Sequence, residues 1–593
     1  MIDRLRRLLA SRRVPLVVAL LAVVLFAPTL GAGYVMDDHI HRISFRPESR
    51  ALGGPWGDWD IFRFQDADRG HLRRSMDLGT IPWWTAPDFR LAFLRPLASL
   101  HHALDYRLWP DAPAVMHAEN IALFAILALL AAAIYRRALG ATTCAGLAAL
   151  MFAIDDAHAF GVTWIANRNA LWAAVFGFAA LWAHDRWRRD GWAPGAALGP
   201  AAYALGMLSA EAAAATLAYL FAHAVWLDRG GLLARARVLS PYAAIAIVWA
   251  IAYRALGYGA AAGGLYVDPV HEPAAYIAAA CERLPVFLLA QLTPVPSSLW
   301  IFVPEQHLAA ALAVVVALVG LVAAALWAGV PRDRMSGFFA TGAVLSLLPA
   351  CATWPNDRLL LFSGLGAFGL IASVIAASRE ALGPGARRVA RGAAAAMVAF
   401  HLVLAPLLLI PRSLSDARVL GGLVRRAAAS LPPEAEMADH TLVVVNAPDT
   451  VAAGLGVTTR FIQGERTPAA IRQIAVTSRG TLRILRTDER TLDVTLSDGF
   501  FHNAMSNIHR TARSPMRAGE RVELSGMTAT VLSLTPDGSR PQRVEFRFER
   551  PLDDPGLVWV TWIDTRFERF EVPPVGGERV LSAIDLQKAF AGK

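Results

Sequence analysis

Three stretches of this chain, 14–27, 121–133 and 308–328, contain no formally charged side chain. A helix crossing the hydrocarbon core of a bilayer needs about 20 mostly apolar residues. Several such runs in one chain restrict it to a bundle of hydrophobic helices, because only internally hydrogen-bonded backbone survives in lipid. The charged fraction agrees: 18% of 593 residues, where a soluble chain carries about 25%. The net charge of +9 resembles a nucleic-acid signal until the arginines are located. Many of them sit in short loops beside apolar runs, where they set topology. No basic stripe interleaved with aromatics accompanies them, so nucleic acid is excluded as a partner. Cys144, Cys281 and Cys351 fit neither a metal spacing nor a disulfide framework.

The arginines give the bundle a direction. Five lie within the first 13 residues, and the stretch at 31–33 is only loosely like a signal-peptide cleavage site, so an uncleaved first helix (14–34) is expected, with its N-terminus in the cytoplasm. A hydrophilic outer loop follows at 35–112. Helices at 118–135, 141–157 and 169–184 alternate, with Arg136, Arg137, Arg186, Arg188 and Arg189 on the inner side. The stretch 195–227 has Glu211 as its one formal charge and basic residues beyond both ends, which reads as two short spans. A helix at 239–257 leads to a second outer loop, 258–304, whose apolar piece 284–292 is read as interfacial or re-entrant. Helices at 306–328, 337–353, 359–378 and 388–411 complete about 11 spans, with the C-terminus outside.

The expected fold is therefore an all-α polytopic membrane bundle (1–411), a connecting helix (412–439) and a small β-rich extracytoplasmic domain (440–593). Thr441 to Val445 is β-rich, 543–550 alternates with period two, and Thr535-Pro536-Asp537-Gly538 is a turn. No repeat period is present. The localisation implied is a bacterial cytoplasmic membrane, with the C-terminal domain periplasmic or extracellular.

Ionisable groups at the ends of apolar helices are expensive, and each is a functional candidate. In this topology they gather on the outer side: Asp37 and Asp38 after the first helix, Asp155, Asp156 and His158 after the third, Asn167 and Arg168 opening the fourth, Glu211 between the fifth and sixth, and Arg358 opening the tenth. Paired carboxylates serve as a general base or hold a divalent cation, and arginines hold phosphate bidentately. The plainer readings stay open: carboxylates that cap helices, arginines that anchor at the interface, and Trp56, Trp59, Trp83 and Trp84 as an interfacial belt. His101 and His102 have no ligand partners at a recognisable spacing and receive no metal role.

The order of short motifs adds a resemblance. Asp37-Asp38 is followed by Leu94-Arg95-Pro96-Leu97, then Ala103-Leu104-Asp105-Tyr106-Arg107-Leu108-Trp109 and His117-Ala118-Glu119-Asn120. Next come Trp164-Ile165-Ala166-Asn167-Arg168-Asn169-Ala170-Leu171, Leu208-Ser209-Ala210-Glu211 and Asn356-Asp357-Arg358-Leu359. Over roughly residues 30–380 this order resembles the GT-C membrane glycosyltransferases, especially the TMTC-type O-mannosyltransferases and their bacterial relatives. The resemblance implies a polyprenyl-phosphate-linked sugar as donor, a protein or glycan acceptor on the extracytoplasmic side, and inversion at the anomeric carbon. It implies that Asp37 or Asp38 belongs to the catalytic acidic pair, which would also hold a divalent cation if one is used. Arg358 and Arg95 would meet the donor phosphate, and Asp155, Asp156, His158, Arg168 and Glu211 would line the donor and acceptor site. The sequence departs from the family where Asp155 and Asp156 replace His-Pro, Phe160 replaces Glu, and Ala210 replaces Lys. The usual tetratricopeptide tail is replaced by the β-rich segment. Two other classes remain: a transporter or flippase for lipid-linked intermediates, and a non-catalytic scaffold descended from such an enzyme. A transporter would carry charges within its spans and repeated helix sets, and the sequence displays neither.

Overall fold

The computed structural model describes residues 2–46, 59–378, 384–502, 506–511 and 513–591; Trp56 lies outside them. The chain divides into two units. One comprises Met1–Gly33, Phe93–Leu256 and Val267–Asp416, and the other Tyr34–Ala92, Gly257–Tyr266 and Ala417–Lys593.

The first unit is helical. Among the described residues of the chain, nine helices are long and apolar enough to cross a membrane by length and composition: Val14–Gly31, Pro113–Leu139, Thr143–Thr163, Leu232–Ala255, Pro273–Leu292, Glu305–Trp327, Arg334–Ala352, Asp357–Ala377 and Gly385–Ser430. The chain is thus a membrane protein with a β-rich C-terminal region. Pro273–Leu292 is one continuous helix, where the sequence reading has a loop, 258–304, with an interfacial or re-entrant apolar piece at 284–292. Glu282, Arg283 and Pro285 interrupt the apolar pattern there, yet Pro273 sits in the first turn and Pro285 is carried inside the helix. An interior proline removes one ladder bond without necessarily ending a helix. The same holds at Pro411, where a break was expected and the helix Ala405–Ser430 continues. Across 195–227 the chain does break. Gly195–Ser209 ends at Ala210, whose backbone is extended (φ −166°, ψ 155°), and a 3₁₀ turn, Glu211–Ala215, leads into Thr216–Trp226.

Small residues set the helix packing. A Cβ on Gly366 would lie 2.4 Å from the carbonyl oxygen of Phe339 and 2.7 Å from the nitrogen of Ala343, so the helices Arg334–Leu345 and Leu361–Ala377 meet backbone to backbone. Two buried tyrosines satisfy their hydroxyls on the same helix. Tyr219 Oη donates to the Phe362 carbonyl and accepts from Gly366 N–H at 2.8 Å, and Tyr135 Oη donates to the Leu365 carbonyl at 2.7 Å.

Among the described residues the second unit holds 13 strands in three sheets. A small antiparallel sheet joins β1 (Arg63–Asp66), β2 (Arg90–Ala92) and β3 (Gly259–Ala261). The C-terminal segment supplies β4 (Thr441–Ala447), β5 (Ala470–Val476), β6 (Thr481–Arg486), β7 (Thr491–Leu496) and β8 (Arg521–Leu524). It continues with β9 (Met527–Leu534), β10 (Pro541–Phe548), β11 (Leu557–Ile563), β12 (Arg566–Arg569) and β13 (Glu578–Ser582). An antiparallel sheet runs β13-β6-β7-β10-β9-β8; in the other, β12-β11-β4-β5, the pairings β11–β4 and β4–β5 are parallel. The period-two pattern at 543–550 lies largely in β10, where Val544, Phe546 and Phe548 turn inward.

Trp83 and Trp84 are not an interfacial belt. Both are buried in the core of this unit, and their indole N–H groups donate to the carbonyls of Ile474 (3.3 Å) and Ser506 (3.2 Å). Trp83 packs edge-on against Phe546 and Phe500. The hydrophilic segment after the first helix therefore completes the hydrophobic core of the C-terminal strands. Replacing a buried aromatic by alanine costs about 3–5 kcal/mol. Trp83→Ala is expected to lower the unfolding midpoint of the β-rich unit, measured in detergent by the loss of its near-UV signal, while exposed Trp59→Ala leaves it unchanged.

Candidate functional site

Within the helical unit, Arg168 is completely buried, as is Asp105, to which its Nη1 donates. Its Nε donates to Asn120 Oδ1 (2.7 Å), its Nη2 to the Met116 carbonyl (2.8 Å), and Nη1 lies 3.0 Å from Glu119. A guanidinium offers five donors in a rigid fork, and here that fork ties the helices Pro96–Leu108, Pro113–Leu139 and Arg168–Asp190 together. Burial pushes the Asp105 carboxyl up to about 6, against the pull of Arg168. The same Glu119 oxygen, Oε2, also lies 3.2 Å from His101 Nε2.

Two further pairs join motifs that are distant in sequence. Arg358 Nη1 donates to Asn167 Oδ1 at 3.1 Å, with the guanidinium over the Trp164 ring. Arg95 Nε donates to Glu211 Oε2 at 2.8 Å. The arginine expected to meet phosphate at position 95 therefore already holds a carboxylate, whereas Arg358 makes one side-chain hydrogen bond among the described residues and is half-buried.

Asp155, Asp156 and Asp357 form a second group, all buried. Asp155 Oδ1 caps the following turn through Ala157 N–H (3.0 Å), and its Oδ2 meets His401 Nδ1 at 2.9 Å. Arg412 bridges Asp156 Oδ2 (2.6 Å) and Asp357 Oδ2. Asp357 Oδ1 also accepts from Ser297 N–H and Oγ–H, at 2.7 and 2.6 Å. The cavity beside these groups holds about 10 Å3, room for a single water. His158 is buried next to them against Phe124 and Phe152, and neither ring nitrogen has a hydrogen-bond partner among the described residues.

The acidic pair belongs to the β-rich unit. Asp37 and Asp38 open the helix Asp37–Ser44 after a strained Met36 (φ 48°), and Asp38, fully buried, accepts from Val35 N–H at 2.8 Å. His39 follows, 7% exposed. Burial, and next to it the charge of Arg42, pulls the His39 imidazole down to about 4.

One trio has ligand spacing: donor atoms of His101, Asp105 and Glu119 all lie within 4.8 Å of one another. Its chemistry argues against a cation. Trp172 Nε1–H donates to His101 Nδ1 at 2.9 Å, and an indole can only donate, so the ring proton is on Nε2, 3.2 Å from Glu119 Oε2. That nitrogen has no lone pair for a metal, and Arg168 already supplies the positive charge.

The structure thus groups Arg168, Arg358 with Asn167, Arg95 with Glu211, and Asp155 with Asp156 inside the helical unit. His401, Arg412, Asp357, Asp105 and Glu119 were missing from the sequence-based candidates. Asp105, Glu119 and Asp357 lie within motifs already singled out, and a charge inside or beside an apolar helix was the available signal for each. Nothing in sequence pairs Arg412 or His401 with residues some 250 positions earlier. No family model matches the chain, and no curated protein matches it.

Removing one partner of a buried ion pair costs about 3–5 kcal/mol. Arg168→Met is expected to lower the detergent-solubilised unfolding midpoint sharply, and Arg168→Lys restores only part of it, because an ammonium cannot reproduce the fork. His39 yields a pH prediction. Its folded-state value lies below the ordinary 6.5, so the unfolded chain binds the extra proton between 6.5 and about 4. The contribution to stability is present above 6.5 and is lost as the pH falls toward 4, by up to roughly 3 kcal/mol. A plot of unfolding midpoint against pH for His39→Gln should be flatter than wild type across that window.

Proposed function

We propose that the chain is a membrane glycosyltransferase that moves a sugar from a polyprenyl-phosphate donor to a protein or glycan acceptor on the extracytoplasmic side of a bacterial cytoplasmic membrane. The supporting observation is convergence. The motifs singled out by their order in the sequence pair off in the helical unit: Arg168 with Asp105, Glu119 and Asn120, Arg358 with Asn167, and Arg95 with Glu211. In this reading the chain crosses the membrane about 11 times, with Pro273–Leu292 counted as an interfacial or re-entrant helix, from a cytoplasmic N-terminus to an outer C-terminal domain.

The reaction is a single displacement. The acceptor hydroxyl oxygen bonds to the anomeric carbon as the bond from that carbon to the phosphate oxygen breaks, and the configuration inverts. The hydroxyl proton passes to a carboxylate, the role the resemblance gives to the Asp37–Asp38 pair, and polyprenyl phosphate leaves with the bonding electrons. Arg358 holds the departing phosphate through its guanidinium N–H donors. Arg95, paired with Glu211, and Arg168, paired with Asp105, position helices of the helical unit. No step requires a metal, and a divalent cation at the acidic pair would supply charge neutralisation alone.

The neutralised carboxylate group favours a second reading, a non-catalytic scaffold. Asp155, Asp156 and Asp357 are all committed to protein partners around a cavity of about 10 Å3, and Ala210 and Phe160 stand where the resembled family has Lys and Glu. Transfer of labelled sugar from polyprenyl-phosphate donors in membranes separates the readings. A general base contributes about 10²–10⁴-fold, so Asp37→Asn, Asp38→Asn or the double variant is expected to lower transfer at least 100-fold with the protein still monodisperse. Equal transfer by all three would remove the acidic pair from the mechanism. A wild-type protein that transfers none of the donors would favour the scaffold.

A further inference from the structure

In the β-rich unit a groove of about 510 Å3 is lined by the helix Arg69–Leu78 and the beginning of β5. The helix presents Gly70, Arg73, Arg74 and Asp77 to it, spaced by three and four residues and so on one face. Arg472 of β5 and Ser525, in the turn between β8 and β9, form part of the opposite wall. Arg472 is 2% exposed. Its Nη1 donates to the carbonyls of Asp77 (2.7 Å) and Ile471 (3.0 Å), and its Nη2 to that of Ser525 (2.6 Å). Its Nε–H is buried and has no acceptor among the described residues.

Every hydrogen-bond acceptor on Arg472 among the described residues is a neutral carbonyl, and the Asp77 carboxylate acts on it only through its charge, without a hydrogen bond. Asp77 is the one acid on the groove, and it is occupied: Oδ1 accepts from Ser525 N–H at 2.7 Å and Oδ2 faces Arg73 Nε at 3.4 Å. Arg74 is exposed on the same helix face and makes no ion pair among the described residues. The groove therefore sets three guanidinium groups against one carboxylate. A purely structural strut would account for the Nη contacts of Arg472 but not for its unspent Nε–H, nor for Arg74 beside it. Burial pulls Arg472 down to about 10, which leaves it protonated at neutral pH, and a buried cation is costly until an anion meets it.

We infer that this groove is a binding site for a small organic anion bearing a phosphate or carboxylate group, held by Arg472 and Arg74. Its volume falls within the ~300–1,000 Å3 range of small-molecule sites and far exceeds a bare phosphate ion. The site is separate from the proposed transfer chemistry and stands without it.

The test is calorimetric titration of the full-length protein in neutral detergent with glucose 6-phosphate, glucuronate and uncharged glucose, at low and high salt. At least one of the two anions is expected to bind with a sub-millimolar Kd, weaken as salt rises, and lose about tenfold or more in Arg74→Gln, the loss of one charge-assisted contact. Glucose should not bind, and Arg358→Ala should bind as wild type, which keeps this groove distinct from the proposed donor-phosphate contact. Arg472→Met should abolish binding; because that side chain also braces the fold, the exposed Arg74→Gln is the deciding variant. Absence of binding by both anions, equal binding of glucose, or unchanged affinity in Arg74→Gln overturns the assignment.

Discussion

A guanidinium among apolar helices has to bring its counter-charges with it, because neither lipid nor packed side chains solvate an ion. Arg168 meets that condition with a fully buried carboxylate, an amide oxygen, a backbone carbonyl and a second, partly open carboxylate. Three helices are placed by this one fork, and with them His101, Asn167 and the Trp164 ring on which Arg358 rests. Glu119 Oε2 is shared between this fork and His101 Nε2, so the carboxylates of the neighbouring trio already face a positive charge.

Paired charges recur at the helix ends of this unit. Arg412 serves Asp156 and Asp357 much as Arg168 serves Asp105 and Glu119, and Asp155 is held by His401. These groups are spent on one another. In the proposed transfer, the groups that act on substrate are Arg358 and the Asp37–Asp38 pair.

Features that depend on local pattern could be read from the chain. Charge-free runs mark most of the long helices, the period-two stretch marks β10, and a glutamate isolated in apolar sequence marks the break after Ser209. Features that depend on distant partners could not. The helix Pro273–Leu292 hides its continuity behind Glu282, Arg283 and Pro285. Trp83 and Trp84 have the composition of an interfacial belt, and only strands some 400 residues later turn them into core. Part of the candidate site was visible because buried charge is rare enough in membrane segments to stand out singly. The identity of each partner was not, since Arg412 meets Asp156 across 256 positions of sequence.

The most direct test of the proposed activity is photocrosslinking with a polyprenyl phosphate carrying a diazirine beside its phosphate, followed by peptide mapping. Label is expected on the segments 164–171 and 356–359, competed by unlabelled polyprenyl-phosphate sugar and strongly reduced in Arg358→Ala. Label confined to other helices, or label on these segments that the unmodified donor does not displace, would contradict the proposed donor site.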